Sequence, residues 1–210
     1  RALLLSKYRV VATPGNYNNI VGLPLTLFEI SPDTECLVLE MGTNHPGEIK
    51  RLAEISLPQI GVITNISATH LQFFRCISNV LSAKMELVDS LPPRGKVVLN
   101  IDDVHLRSRF QRIKREIITF GTNPQADVRA SDVLASRSGG KERLSFAVQA
   151  GRDRQEFELY CLGRYNIHNA LAAISVAREL GISFSRMANL LKEFRFPKLR
   201  MEKLKYGKVT

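Results

Sequence analysis

Short, unbroken apolar runs alternate with stretches of helical periodicity over the first 120 or so residues. Arg9-Val10-Val11-Ala12-Thr13, Cys36-Leu37-Val38-Leu39-Glu40, Ile60-Gly61-Val62-Ile63-Thr64, Val97-Val98-Leu99-Asn100 and Ile117-Ile118-Thr119-Phe120 each read as a strand. The runs are continuous rather than alternating, the pattern of strands covered on both faces of a parallel sheet. Helical patterns fall between them. Residues 20–28 form one, with Pro24 either kinking it or seated in its first turn. Pro46 opens a second at its first position, and Ile49, Leu52, Ala53 and Ile55 repeat along one face. A third covers residues 77–91 and is closed by Pro92-Pro93. Strand, helix, strand in series implies right-handed crossovers and a doubly wound, mostly parallel α/β sheet.

The texture changes near Asn123. Leu144-Ser145-Phe146-Ala147-Val148 and Phe157-Glu158-Leu159-Tyr160 read as antiparallel hairpin strands, with Ser138-Gly139-Gly140 and Ala150-Gly151 as breaks. Helices follow over residues 166–180 and 185–194, stopped by Gly181 and followed by Pro197. The expected organisation is a parallel α/β core over 1–122, a small antiparallel β region over 123–162, and helices with the start of a link over 163–210.

Length and composition bound this picture without changing it. The chain has 210 residues, 44% of them apolar, enough for one large domain with a sizeable core. No apolar run approaches the roughly 20 residues that span a bilayer, and no signal-peptide pattern opens the chain. Arg1-Ala2-Leu3-Leu4-Leu5 reads as the tail of a helix without its beginning, so a truncated start is expected. Cys36, Cys76 and Cys161 are scattered and odd in number, which fits a reducing cytosol better than a disulfide framework or zinc site.

Charge raises one alternative. The net charge is +10, and much of the excess sits in residues 107–115, Arg-Ser-Arg-Phe-Gln-Arg-Ile-Lys-Arg. The run is not interleaved with several aromatics, and no nucleic-acid motif accompanies it. A basic surface that favours anionic nucleotides accounts for it more simply than a nucleic-acid partner.

Candidate chemistry lies at the strand ends. Ligands of open α/β sheets bind beyond the carboxyl ends of the strands, and there the chain carries Thr13, Glu40, Thr64-Asn65 and Asn100. Turns alone call for polar residues at such positions, but several in line define a candidate site. The Glu40 carboxylate, followed by Met41-Gly42, suits a magnesium ion, which prefers oxygen ligands; the alternative is a carboxylate capping a turn. His70 follows the third strand and is a ligand or a structural histidine. Lys84, inside an apolar helix, reads by spacing as a solvated lysine with its stem along the surface. Asn166, His168 and Asn169 open a helix, where asparagine is an ordinary cap or, with its neighbours, a reader of an adenine edge.

Five stretches together carry a resemblance. They are Thr13-Pro14-Gly15-Asn16-Tyr17-Asn18-Asn19 with Gly22-Leu23-Pro24-Leu25-Thr26; Glu40-Met41-Gly42-Thr43-Asn44-His45-Pro46-Gly47-Glu48-Ile49; Ile63-Thr64-Asn65-Ile66 through His70-Leu71 to Ala83-Lys84-Met85-Glu86; Leu99-Asn100-Ile101-Asp102-Asp103; and Leu162-Gly163-Arg164-Tyr165-Asn166-Ile167-His168-Asn169-Ala170-Leu171-Ala172-Ala173. In this order they resemble the Mur ligases. The Gly-Asn-Tyr-Asn-Asn and His-Pro-Gly-Glu-Ile stretches resemble the MurF branch, which adds D-Ala-D-Ala to UDP-MurNAc-tripeptide, rather than folylpolyglutamate synthase.

The resemblance implies a cytoplasmic, ATP- and Mg2+-dependent amide ligase of peptidoglycan precursor synthesis, working through an acyl phosphate and monomeric at full length. Carried over residue by residue, it places Glu40 and His70 at magnesium positions and Lys84 at the lysine that becomes N-carbamylated, serving catalysis with His70. Asn166, His168, Asn169 and Arg200 fall at the ATP site, and Asn16, Asn18, Asn19 and Asn65 face the UDP-peptide. Ser67-Ala68-Thr69 stands where the family more often has Gly-Glu-Ala, Gln72 and Arg75 where it has Glu and Gly, and Tyr165 where His is common. No G-x-x-x-x-G-K-[ST] phosphate loop occurs in the sequence. The expectation is therefore a fragment of such an enzyme, or a non-catalytic nucleotide-binding relative, that does not ligate alone.

Overall fold

The computed structural model describes residues 1–138, 141–161 and 163–195. Its elements run β1 (Val10–Ala12), α1 (Gly22–Leu27), β2 (Cys36–Val38), α2 (Glu48–Ser56), β3 (Ile60–Ile63), α3 (Leu71–Phe74), α4 (Ile77–Asp89), β4 (Lys96–Asn100), α5 (Val104–Arg107), β5 (Glu116–Gly121), β6 (Val128–Ser138), β7 (Lys141–Ala150), β8 (Asp153–Leu159), α6 (Asn166–Glu179) and α7 (Phe184–Glu193). Short 3-10 turns occupy Leu4–Ser6 and Phe110–Arg112.

β1 and β2 pair in parallel as one small sheet. The other six strands form a second sheet in the order β3-β4-β5-β6-β7-β8. The pairs β3–β4, β4–β5 and β5–β6 are parallel, and β6–β7 and β7–β8 are antiparallel. The expected α/β fold with its antiparallel β region is present, and the antiparallel strands continue the parallel part of the sheet. Val128 of β6 lies opposite Phe120 of β5, so the hairpins continue the same sheet.

β4 shows why its sequence is an unbroken apolar run. Val98 faces one core, with Phe120, Phe146 and the α6 residues Leu171 and Ile174. Val97 and Leu99 face the other, with Phe74 and the α4 residues Val80, Leu81 and Ala83. All three are 0% exposed. Each such side chain contributes about 1.5–3 kcal/mol by leaving water. At the far end of the sheet α7 packs on β8, with Phe184 edge-on to Phe157, ring centroids 5.9 Å apart.

One strand escapes the sequence pattern and one expectation is corrected. β6 has a register shift between Ser131 and Leu134, with Asp132 at φ 53°. That bulge breaks the alternation by which the strand could be read. Pro46 does not open α2. The helix begins at Glu48, after Gly47 at φ 89°, a left-handed conformation that glycine adopts without a Cβ penalty. Pro24 does sit in the first turn of α1, where its missing N–H costs nothing. Among the described residues, no helix is long and apolar enough to cross a membrane.

Candidate functional site at the carboxyl edge of the sheet

The register aligns the ends of the central strands. Ile63 lies opposite Leu99, and Asn100 opposite Phe120. The segments after β3, β4 and β5 therefore emerge side by side. Asn100, 6% exposed, joins two of them: its Nδ2 donates to the Thr64 carbonyl at 3.0 Å, and its Oδ1 accepts from the Asp102 N–H at 2.9 Å. This strand-end asparagine is a brace.

Lys84 reaches this edge from α4. Its Nζ donates to the Asn65 carbonyl at 2.8 Å. Burial lowers the pKa of its amine, partly offset by the charge of Asp103. Asp103 is committed to backbone, accepting from Ile66 N–H at 2.6 Å and from His105 and Leu106 N–H at the start of α5. Lys84 is half-buried, and its amine points to the strand ends.

Asp102 was not singled out by sequence, yet it is the most heavily bonded carboxylate at this edge. One oxygen accepts from Thr122 N–H (2.7 Å), Thr122 Oγ1 (2.9 Å) and His168 Nε2 (2.8 Å); the other accepts from Asn123 N–H at 2.9 Å. Burial pushes its carboxyl up, but the Thr122, His168 and Asn123 donors outweigh it and hold the pKa below the ordinary value. A Cβ on Gly121 would stand 2.7 Å from Asp102 Oδ1, so the glycine makes room for the contact.

Through Asp102 the first turn of α6 is tied to the strand ends. His168 therefore has a positioning job, with one ring nitrogen occupied. Asn166, 6% exposed, accepts from the Asn169 amide at 3.2 Å and also hydrogen-bonds the Cys161 thiol. Arg200 lies outside the described residues.

The second part of the site follows β1 and β2. Thr13 Oγ1 accepts the Glu40 N–H at 2.9 Å, and the exposed Glu40 carboxylate accepts from Asn18 Nδ2 at 2.9 Å. Gly42 N–H donates to the Asn18 carbonyl at 2.7 Å, and a Cβ on Gly42 would meet the Asn18 side chain at 2.9 Å. Asn18 thus orients Glu40. Asn19 is also taken: its Oδ1 accepts from Val21 and Gly22 N–H and starts α1. Asn16 is exposed, and its carbonyl accepts from Asn18 N–H. A cavity of about 230 Å³ lies here, with Asn18, Asn19, Gly42, Thr43, Asn44 and His70 in its wall.

Glu48 shapes the floor of that cavity. It accepts from Asn44 N–H at 2.6 Å, His45 N–H at 2.9 Å and Thr43 Oγ1 at 3.2 Å. Burial raises its pKa, and these bonds more than reverse it. From α4, Glu86 accepts Gly47 N–H at 2.7 Å and Lys50 N–H at 3.0 Å, satisfying donors at the start of α2. Neither glutamate was read as functional; both support the loop.

The predicted residues thus gather in two places, with Glu40, Asn18 and His70 beside one cavity and Lys84, Asn65 and the start of α6 at the β3–β5 edge. No hydrogen bond or ion pair joins Lys84 to Glu40 or His70 among the described residues. Nor do any three His, Cys, Asp or Glu there group as a metal site. The donors present are one carboxylate, one imidazole and one amine. Conversion of the amine to a carbamate would add the oxygen ligands that magnesium prefers.

The profile of the Mur ligase middle domain matches residues 1–177. UDP-N-acetylmuramoyl-tripeptide–D-alanyl-D-alanine ligase of Bacillus subtilis (strain 168) is 32% identical over 97% of this chain and 43% of its own length. The Escherichia coli (strain K12) ligase of the same name is 30% identical over 86% and 39%. The chain spans less than half of these relatives. A MurF crystal structure from Acinetobacter baumannii superposes with a TM-score of 0.89 at 26% identity, covering 99% of this chain and 45% of that one. MurF from Thermotoga maritima in complex with ADP gives 0.77 at 29% identity, covering 89% and 43%. With a profile match over 177 of 210 residues, the chain belongs to the Mur ligase middle-domain family.

Proposed function

We propose that the chain is the nucleotide- and metal-binding part of a cytoplasmic, monomeric MurF-type ligase that joins D-Ala-D-Ala to UDP-MurNAc-tripeptide. The observation that carries this reading is the placement of Lys84: a half-buried amine of lowered pKa, held at the strand ends by the Asn65 carbonyl. The names of the relatives and the ADP in the Thermotoga maritima structure support the substrate class.

In this reading a tripeptide carboxylate oxygen attacks the γ-phosphorus of ATP, and ADP leaves. The amine of D-Ala-D-Ala then attacks the acyl carbon; the C–N bond forms, a proton is lost, and phosphate departs. Bound magnesium supplies neutralisation of phosphate charge during transfer. The lowered pKa leaves more of the Lys84 amine neutral, the form that adds to carbon dioxide and loses a proton to give a carbamate. Glu40 and His70 would hold one magnesium ion, and that carbamate would help place a second. Asn166 and Asn169 would meet the adenine, while His168 keeps α6 in place through Asp102. Asn16 and Asn65 remain free to face the UDP-peptide, whereas Asn18 and Asn19 act through Glu40 and α1.

The test is ligation in cells depleted of their own D-Ala-D-Ala-adding enzyme, rescued by the intact gene that encodes this chain. Rescue by the wild type, and a Lys84→Ala variant whose kcat falls on the order of a hundredfold or more, would support the reading. Rescue by Lys84→Ala at wild-type rate would refute it.

A further inference from the structure

The basic run over residues 107–115 has no part in the site above, yet the fold gives it a definite shape. It lies against α4 and encloses a cavity of about 400 Å³. Ser82, Met85 and Asp89 of α4 line one side. They are spaced three and four apart and so form one stripe of the helix. Lys84 lies off that stripe, with its amine on Asn65. Met85, Val88 and Ile113 provide apolar wall.

Four cations, Arg109, Arg112, Lys114 and Arg115, line the rest, against the single carboxylate of Asp89; the lining carries a net charge of +3. None of the four is in an ion pair among the described residues. Arg115 is fixed in place, its Nε and Nη2 donating to the Leu91 carbonyl at 3.2 and 2.8 Å. Like charges gathered in a concavity repel one another and concentrate anions. Guanidinium groups match phosphate oxygens in geometry as well as charge.

We propose that this cavity binds a small molecule bearing a diphosphate group, at a site separate from the strand-edge site. A diphosphate attached at one end carries about −1 on its inner phosphoryl group and roughly −1.5 to −2 on its outer one, a total close in size to the +3 of the lining. The volume lies within the roughly 300–1,000 Å³ of small-ligand sites. Single-stranded nucleic acid instead calls for a groove that tracks several phosphates, with aromatic stacking surfaces, and no aromatic lines this cavity. The apolar wall accommodates whatever the diphosphate is attached to.

Calorimetric titration of the chain with inorganic pyrophosphate, at fixed ionic strength and without magnesium, tests this. Saturable one-to-one binding is expected, at least tenfold weaker in Arg112→Glu/Lys114→Glu and unchanged in Asn169→Ala. Arg112 and Lys114 are exposed, so the double variant should keep its melting temperature; Arg112→Ala provides a milder check, with a smaller loss. Absence of saturation, equal affinity in the double variant, or equal binding of sulfate would overturn the proposal. So would tighter binding of single-stranded RNA or anionic lipid vesicles through Arg112 and Lys114 with no saturable pyrophosphate site.

Discussion

Arg75 holds a backbone conformation that its side chain disfavours. It sits at φ 67° and ψ −41°, and Cys76 N–H donates across it to the Phe74 carbonyl at 2.8 Å. This is the rare, strained form of the γ-turn. Glycine adopts such a turn freely. Arg75→Gly should therefore raise stability by about 1 kcal/mol, read as a higher midpoint in urea; a lower midpoint would mean that the arginine makes a compensating contact. Asp102 is the opposite case, a residue whose conformation and partners agree. Its loss in Asp102→Ala strands donors from Thr122, Asn123 and His168 and should cost about 2 kcal/mol. Its folded pKa is depressed, so its contribution is complete above the unfolded value of about 3.9 and is lost as pH falls through the lower folded value. The wild type should thus lose stability in that acid range, and the variant should lose less; parallel acid curves for the two would contradict this. Asp102 was visible in the sequence only as part of a quoted motif, because nothing in its neighbours announces a partner 66 residues away. Lys84 was legible through resemblance alone, since a lysine inside an apolar helix ordinarily snorkels.

At the scale of elements, α4 organises the site from both ends of one turn. Lys84 supports the β3 end, and Glu86, two residues on, holds the start of α2. Glu86→Ala should cost about 1–2 kcal/mol. Amide exchange at Gly47 and Lys50 should accelerate, while the β4 amides change only with global stability. Equal acceleration across β4 and α2 would show instead that Glu86 acts on the whole fold. Helical periodicity made α2 and α4 legible, Gly181 and Pro197 bounded α6 and α7, and the continuous runs did the same for β1 to β5. β6 was missed because its bulge at Asp132 interrupts the period of two. The start of α2 was misplaced because Pro46 is a strong local signal, whereas the deciding features are the positive φ of Gly47 and a cap supplied from another helix.

At the scale of the whole molecule, one sheet runs from buried parallel strands into antiparallel hairpins, with the α6 start docked on the strand ends by the His168–Asp102 contact. The sequence change near Asn123 precedes β6, which still runs parallel to β5, and direction reverses only at β7; pairing between distant strands has no local signature. The central claim is that this edge is the metal and nucleotide site of a Mur ligase middle domain, with Lys84 as its modified residue. Carbon-13 NMR of the chain equilibrated with labelled bicarbonate and magnesium tests it most directly. One carbamate resonance, absent from Lys84→Arg, is the predicted result; no such resonance, or the same resonance in Lys84→Arg, would contradict it.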